Sequence, residues 1–316
     1  MSDLAVAEVE AVPPEPQPGQ PPEKAEKPIS LWTDAWHVMR VKPLFWISLV
    51  LIALSVLMAV APQLFTSKDP GFCDLNHARE KPGSDAIFGY DLQGCDVYAR
   101  TIYGARSSIL VGVLTTLFTT LLGGALGVIA GYVGGWVDTL LSRIADVFFA
   151  IPLLLGGIII MYTFRTPPGS PYLLVVLKVV FALTILGWPR LFRLMRSSVI
   201  QVKPNEYVQA ARALGANPMR IIVSHVVPNS LAPLLVVATI DLGAYIATEA
   251  TLSFLGIGLQ PPAISWGIAI SEASGLGYIA AAPHMLLFPS LFLSLTVLAF
   301  IMLGEVVRDA LDPKLR

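Results

Sequence analysis

Four polar side chains recur every fourth residue along a long apolar stretch. They are Asp241, Tyr245, Glu249 and Ser253, and this spacing places them on one face of a helix. Ionisable groups at membrane depth usually face the protein interior or a water-filled path. The stripe therefore predicts either the lining of a polar cavity or a buried contact that fixes the packing of one helix on another.

Lys178 is a second charge inside an apolar run. An unpaired cation at that depth costs a few kcal/mol, so we expect it to have a partner. At about 1.5 Å per residue, Lys178 and Asp241 lie at similar distances from the ends of their helices. We predict that Lys178 and Asp241 form an intramembrane pair.

The sequence offers little other chemistry. The histidines stand singly at His37, His77, His225 and His284, with no H-E-x-x-H, P-loop or Cys/His cluster. A net charge of −1 and a pI near 6.4 provide no basic excess for nucleic acid. We therefore predict no catalytic residue, no metal site and no nucleic-acid partner.

Composition indicates a multi-pass membrane protein. Of 316 residues 55% are hydrophobic and 14% charged, and the mean hydropathy is +0.69. Six apolar runs are long enough to span a bilayer: Pro43 to Leu64, Ser107 to Tyr132, Val137 to Tyr162, Tyr172 to Phe192, Asn229 to Gly256 and His284 to Val307. We predict six transmembrane helices and an amphipathic stretch from Trp266 to Ala273.

The ends of the chain differ in composition. Residues 1–31 are rich in Pro and Glu and predict a disordered cytoplasmic tail. Residues 32–106 would hold an interfacial helix, the first span and a polar loop, and residues 107–316 the five remaining spans. Trp32 and Trp36 share one side of a helix, which fits either an interfacial helix or the first turns of the next span.

Lys and Arg in the short loops set the orientation. One side carries Lys24, Lys27, Arg40, Lys42, Arg143, Arg190, Arg193, Arg196, Lys203, Arg212, Arg220, Arg308, Lys314 and Arg316. The other side has fewer, and acidic residues dilute them. We predict that the richer side, with both termini, is cytoplasmic.

The chain has only two cysteines, Cys73 and Cys95. Both fall in the polar loop that the charge distribution places outside the cytoplasm, where oxidation is permitted. The sequence predicts a disulfide between them, and two unrelated thiols are the alternative.

A soluble-looking segment, Lys203 to Asn229, lies between two apolar runs; we call it the coupling loop. It predicts two short helices, the first ended by Gly215 in a left-handed conformation and the second capped by Asn217. A narrow face of the first helix carries Tyr207, Ala210, Ala211 and Leu214. Small side chains on that face would let another protein approach closely, although a DNA-binding helix-turn-helix has similar content.

The coupling loop and three other sequence blocks resemble a known protein family. Ala210-Ala211, three residues, Gly215, nine residues and His225-Val-Val-Pro228 resemble the EAA signature of ABC-importer permeases. Two further blocks, Asp91 to Arg106 and Glu249 to Pro262, and the ending from Leu303 to Pro313, resemble those of the oligopeptide/dipeptide (OppC/DppC) type. The likeness covers about Trp32 to Arg316. Gln209 replaces the signature's glutamate, for which Glu206 could substitute, and Cys95 stands where the family usually has arginine.

The resemblance implies an all-α type I importer permease in the plasma (inner) membrane of a prokaryote. Its partners would be membrane lipid, a homologous second permease, two ATPase subunits or domains that carry ATP and Mg, and an extracytoplasmic substrate-binding protein. The chain itself would bind no cofactor. The coupling residues would be Glu206, Tyr207, Gln209, Ala210, Ala211, Leu214 and Gly215.

The substrate stays open at this point. The resemblance favours peptide carried past the polar stripe as a translocation pathway, with nickel chelates as an alternative within the family. A different class is a secondary transporter using Asp241, Glu249 and Lys178 as ion sites. Such a protein should show paired repeats with broken helices, which the sequence does not reveal.

Overall fold

The computed structural model describes residues 31–167 and 169–311, so the predicted disordered tail lies outside it except for Leu31. Within those residues the chain forms twelve α-helices and no strand. They are α1 Leu31–Arg40, α2 Pro43–Val60, α3 Val97–Val133, α4 Gly135–Phe149, α5 Leu153–Thr163, α6 Tyr172–Val202, α7 Glu206–Ala213, α8 Pro218–Ile221, α9 Val227–Phe254, α10 Trp266–Ala273, α11 Leu276–Ala281 and α12 His284–Leu311.

Five of the predicted spans are confirmed as continuous apolar helices. These are α2, α3, α6, α9 together with α8, and α12, each long and apolar enough to cross a bilayer. The amphipathic stretch from Trp266 to Ala273 is also helical, as α10.

The third predicted span is not one straight helix. The chain breaks between α4 and α5, and the two helices meet at 82°. Pro152 lies at the break; proline has no backbone N–H to donate, and its ring disfavours a helical conformation at Ile151. The apolar run from Val137 to Tyr162 therefore forms a bent pair.

Helix α3 packs closely on α6. A Cβ at Gly123, Gly127 or Gly131 would stand 2.7 to 2.9 Å from the α6 backbone oxygens of Trp188, Phe192 and Arg196. Glycine at every fourth position of α3 thus lets the two backbones approach, as small residues do between membrane helices. Helix α9 packs against α3, α6 and α12.

The amino-terminal helix α1 is separate from the first span. It ends at Arg40, α2 begins at Pro43, and α1 contacts α12. Lys42 Nζ binds Asp309 Oδ2 at 2.8 Å, which ties the α1–α2 junction to the end of α12. Of the two interpretations of this stretch, the structure favours an independent helix lying beside the bundle.

Residues 61–96, between α2 and α3, form the polar loop. Cys73 and Cys95 are joined there as a disulfide with Cα atoms 4.1 Å apart. Lys68 Nζ binds Asp96 Oδ2 at 2.7 Å, and this hydrogen bond raises the pKa of Lys68. Asp96 also caps α3 by accepting from Ala99 N at 2.9 Å. The loop is thus tied to itself and to the first turn of α3.

Candidate functional site

The coupling loop has the predicted pair of short helices. Helix α7 is followed by Gly215 with φ +78°, a left-handed conformation that favours glycine. Asn217 Oδ1 accepts from Met219 N at 2.7 Å and so caps α8. Helix α8 continues through a π-helical turn, Ile222–Val226, directly into α9. The left-handed turn and the cap are confirmed.

Helix α7 buries one side and exposes the other. Val208 is fully buried in an apolar cluster that includes Met195 and Val199 of α6 and Leu234 of α9. Ala211 packs at the edge of that cluster. Tyr207, Ala210 and Leu214 are exposed. The predicted small face is therefore divided, with Ala211 turned towards this chain.

The two polar residues of interest on α7 are also exposed. Gln209 Nε2 donates to the Lys203 carbonyl at 2.9 Å, so its amide closes the start of the loop. Glu206 lies in the first turn of α7. A carboxylate there is favoured by the helix dipole and remains accessible to a partner.

The ion pair predicted between Lys178 and Asp241 is wrong. Asp241 Oδ1 accepts from Arg190 Nη1 at 2.6 Å, and Lys178 Nζ donates to Thr166 Oγ1 at 2.9 Å. Helix α6 runs to Val202 instead of ending near Phe192, so Arg190 lies within the helix, at the level of Asp241. Lys178 is about 18 Å along α6 from Arg190, at about 1.5 Å per residue.

Arg190 is the charged residue of this pocket that the sequence prediction omits. The charge distribution assigns Arg190 to the cytoplasmic side, although Leu191, Met195 and Val199 continue the apolar spacing of α6 beyond it. That spacing, read to its end, would have placed Arg190 inside the helix.

The polar stripe on α9 has two parts. Asp241 and Tyr245 line a pocket of about 280 Å³ beside the α4–α5 break. The Tyr245 hydroxyl reaches Gly187 of α6, where a Cβ would collide with it. This part of the stripe fits the predicted cavity lining.

Glu249 and Ser253 line neither this pocket nor the one at the other end of α6. Both side chains are buried, Ser253 Oγ donates to Glu249 Oε1 at 2.7 Å, and Leu259 N donates to Ser253 Oγ at 2.9 Å. Among the described residues Glu249 Oε2 makes no hydrogen bond. Glu249 and Ser253 therefore fit the second interpretation of the stripe, a buried packing contact, because they hold the segment after α9 against that helix.

A second pocket of about 280 Å³ lies near the start of α6. It is lined by residues of α5 and α6, the α5–α6 connection and the segment after α9, among them Arg165, Lys178 and Gly256. The two pockets therefore lie at two levels along α6, and residues of α5 line both.

The end of the polar loop is held to α10 by charge. Arg100 Nη1 on α3 binds Asp91 Oδ2 at 2.5 Å and Glu272 Oε2 on α10 at 3.2 Å. Burial raises the pKa of Glu272, which the Arg100 guanidinium opposes. Trp266 Nε1 donates to the Thr101 carbonyl at 2.8 Å in the same region. Together these contacts fix α10 on α3.

Two families of known proteins match parts of the chain. Residues 123–316 match the family described as binding-protein-dependent transport system inner membrane component. Residues 30–82 match the N-terminal TM domain of oligopeptide transport permease C.

Curated relatives are similar over nearly the whole chain. The oligopeptide transport system permease protein OppC of Bacillus subtilis is 38% identical over 92% of both chains. The dipeptide transport system permease protein DppC of Alkalihalophilus pseudofirmus is 37% identical over 95% of this chain and 96% of the relative.

A solved structure shares the fold. An inward-facing MetNI methionine ABC transporter chain matches with a TM-score of 0.54 and 20% identity, over 67% of this chain and 96% of the other. The family match, the relatives and the apolar helices agree with one another. The chain therefore belongs to the binding-protein-dependent transport system inner membrane components, as a multi-pass permease subunit of an ABC importer and not an enzyme.

Proposed function

We propose that this chain forms half of the pathway through which an ATP-driven importer moves peptides into the cell. A homologous second permease supplies the other half, two ATPase subunits or domains bind ATP and Mg on the cytoplasmic side, and a substrate-binding protein delivers the peptide outside. Peptide is favoured as substrate because the similar proteins are named for oligopeptides and dipeptides.

The observation that carries the proposal is the exposed face of α7. Leu214 is 89% exposed and Tyr207 and Ala210 lie beside it, whereas Val208 on the opposite side is fully buried. An apolar side chain so exposed next to a left-handed turn is suited to a groove on a partner protein. Glu206, Gln209 and Gly215 complete the surface that we assign to ATPase coupling.

The anchoring of the coupling loop supports a mechanism for transmission. Ile221, Val226 and Val208 are buried in one apolar cluster with α6 and α9 residues. Lys203 Nζ donates to the Tyr132 carbonyl at the end of α3 at 2.7 Å. Closure of the ATPases on α7 would then tilt α6 and α9 together and change which side of the membrane the pathway faces.

The orientation follows from the same assignment. The coupling loop and both termini are cytoplasmic, and the polar loop with its disulfide is outside, where oxidation is permitted. Asp241 and Tyr245 line the pathway, and Glu249 and Ser253 secure the segment that follows α9.

Reconstitution tests the proposal. The chain, expressed with its neighbouring permease and ATPase subunits, should purify as one complex and import peptide into liposomes only with ATP and the binding protein. The variant Leu214→Glu should lower ATPase co-purification at least about tenfold, since a buried charge at an interface is costly. Leu276→Glu is a matched control, because Leu276 is also 89% exposed but lies in α11, away from α7.

Normal ATPase recovery with Leu214→Glu would contradict the coupling role of α7. Peptide uptake that proceeds without ATPase subunits would contradict the importer itself and favour a secondary transporter.

A further inference from the structure

We propose that Arg190 binds the C-terminal carboxylate of the transported peptide in the pocket beside the α4–α5 break. The proposal rests on the proposed function as a peptide permease and adds the chemical group that this half of the pathway recognises.

The ion pair at this site exposes its cation far more than its anion. The Arg190 side chain is 60% exposed, whereas that of Asp241 is 3% exposed, and the two are joined by the 2.6 Å contact from Nη1 to Oδ1. A solute in the pocket therefore meets the guanidinium first. Asp241 holds that guanidinium in place through this contact.

Arg190 keeps donors free for a ligand. A guanidinium has five N–H groups in a planar fork, and the contact with Asp241 uses one nitrogen. The remaining donors match the two oxygens of a carboxylate, which arginine binds in a bidentate manner.

The rest of the pocket suits the apolar part of a peptide. Phe148, Phe149 and Tyr245 line it with aromatic surface, and its volume is about 280 Å³. Such a pocket accepts a terminal residue, with the carboxylate setting its orientation.

The pocket near the start of α6 independently favours a negatively charged ligand. It is lined by Arg165 and Lys178, and no carboxylate is found among its described lining residues. Among the described residues, the Lys178 ammonium donates to the neutral Thr166 hydroxyl at 2.9 Å and forms no ion pair. Cationic groups thus line both pockets, at two levels along α6, which favours an anionic group in the pathway.

Site-directed thiol labelling tests the proposal in the assembled complex. The only cysteines of the chain, Cys73 and Cys95, are bonded to each other, so Thr248→Cys introduces the one free thiol of this subunit, at the pocket wall. An anionic and a cationic methanethiosulfonate, each normalised to a free thiol in solution, report the local charge. Mass spectrometry of this subunit gives the two rates.

We expect the anionic reagent to react faster, by about threefold, since the guanidinium is 60% exposed and the carboxylate only 3% exposed. Adding the paired changes Arg190→Gln and Asp241→Asn should remove the preference without leaving a buried charge unpaired. The matched control is Arg143→Gln on α4, whose side chain is 79% exposed outside the pocket and should leave the preference unchanged.

Protection by ligand identifies the carboxylate. A tripeptide with a free C-terminus should slow labelling of the Thr248→Cys complex, its C-terminal amide should not, and neither should protect the variant with both Arg190→Gln and Asp241→Asn. Equal protection by acid and amide, or an anion preference that survives the paired changes, would overturn the assignment.

ATP-driven peptide uptake by the unmodified complex is scored separately. Its absence would refute the proposed function, whereas uptake together with either overturning result would refute only the role of Arg190.

Discussion

The coupling loop and the polar loop are both hydrophilic segments between apolar helices, yet they are held by different means. The polar loop is closed by the Cys73–Cys95 disulfide and by ion pairs such as Lys68–Asp96. The coupling loop has local hydrogen bonds, such as Gln209 to the Lys203 carbonyl, and a small buried cluster around Val208.

The difference follows from local structure. Between Leu64 and the start of α3, the polar loop contains one short 3₁₀ turn, Leu75–His77, and no α-helix. Cross-links must therefore offset the entropy lost when this segment is ordered. Helices α7 and α8 satisfy much of their own backbone, which leaves their outer side chains free. This second way of ordering a loop fits the proposed docking of the ATPases on α7.

Changing Gly215 should produce the largest effect. Its φ is +78° and, apart from its chain neighbours, no atom of this chain would lie within 4 Å of an added Cβ, so within this chain Gly215→Val acts through backbone strain. We expect ATP-driven uptake to fall by at least about twentyfold at normal membrane abundance, because a strained turn re-aims α7.

Gly169→Val is the matched control, because Gly169 also has positive φ, +80°, and open space around it but lies in the α5–α6 connection. Retained uptake with Gly215→Val, or an equal loss with Gly169→Val, would contradict a specific role of the turn at Gly215 in transport.

Removing the disulfide should affect the polar loop strongly and transport less. The bond closes a segment of sequence separation 22. Replacing Cys73 and Cys95 together by alanine should weaken loop closure by about 3 kcal/mol in the chain-entropy model, or roughly a hundredfold more opening. Protease cleavage within the polar loop of the purified complex measures this.

The bond itself is checked by alkylation and mass spectrometry of the non-reduced protein. Two alkylated thiols there would contradict the closed loop, and protease sensitivity equal to the unmodified protein would show that the ion pairs alone order it.

Glu206→Ala should be a milder change than Gly215→Val. Glu206 is exposed in the first turn of α7, and we expect uptake to fall by no more than about threefold, the scale of one exposed charge contact. ATP-driven uptake at several salt concentrations gives the measurement. A loss as large as that of Gly215→Val would mean that Glu206 takes over the role of the signature's glutamate, now Gln209.

The smallest effect concerns pH at the polar loop. The Glu80 carboxylate, 3.0 Å from His77 Nδ1, raises the pKa of His77 above its usual 6.5. A raised histidine pKa favours the protonated folded form, so this contribution is present below pH 6.5 and is lost as the pH rises through the folded pKa.

Hydrogen exchange around His77, corrected for intrinsic rates, should therefore show slightly less protection at about pH 8.5 than at about pH 5.5. His77→Gln should abolish the difference. An unchanged difference in that variant would assign the effect to another group.

Much of the architecture could be predicted from local patterns. Apolar run length identified the spans, and Gly215 and Asn217 marked the turn and cap of the coupling loop because each acts on its own backbone. The break between α4 and α5 was missed, although Pro152 was visible. Hydropathy measures apolar content and is insensitive to one proline.

The partners of charged groups could not be predicted in the same way. Lys178 was assigned to Asp241 on depth, but Arg190 occupies that place. Depth gives only the position of a side chain along its helix. Whether two side chains meet also depends on how each helix is rotated about its own axis. The close approach of α3 and α6 at the glycine positions constrains that rotation for α6.

The sequence by itself determined the membrane class, five of the six spans and the two short helices of the coupling loop, since composition and short-range backbone preferences decide these, and its motifs indicated the family. Only the tertiary structure decided that Asp241 and Tyr245 face a pocket while Glu249 and Ser253 are buried, although all four share one helical face. A helical face is defined by sequence spacing, but what covers it at each level depends on the elements packed there: α4, α5 and α6 beside Asp241, and α10 with the segment after α9 beside Glu249.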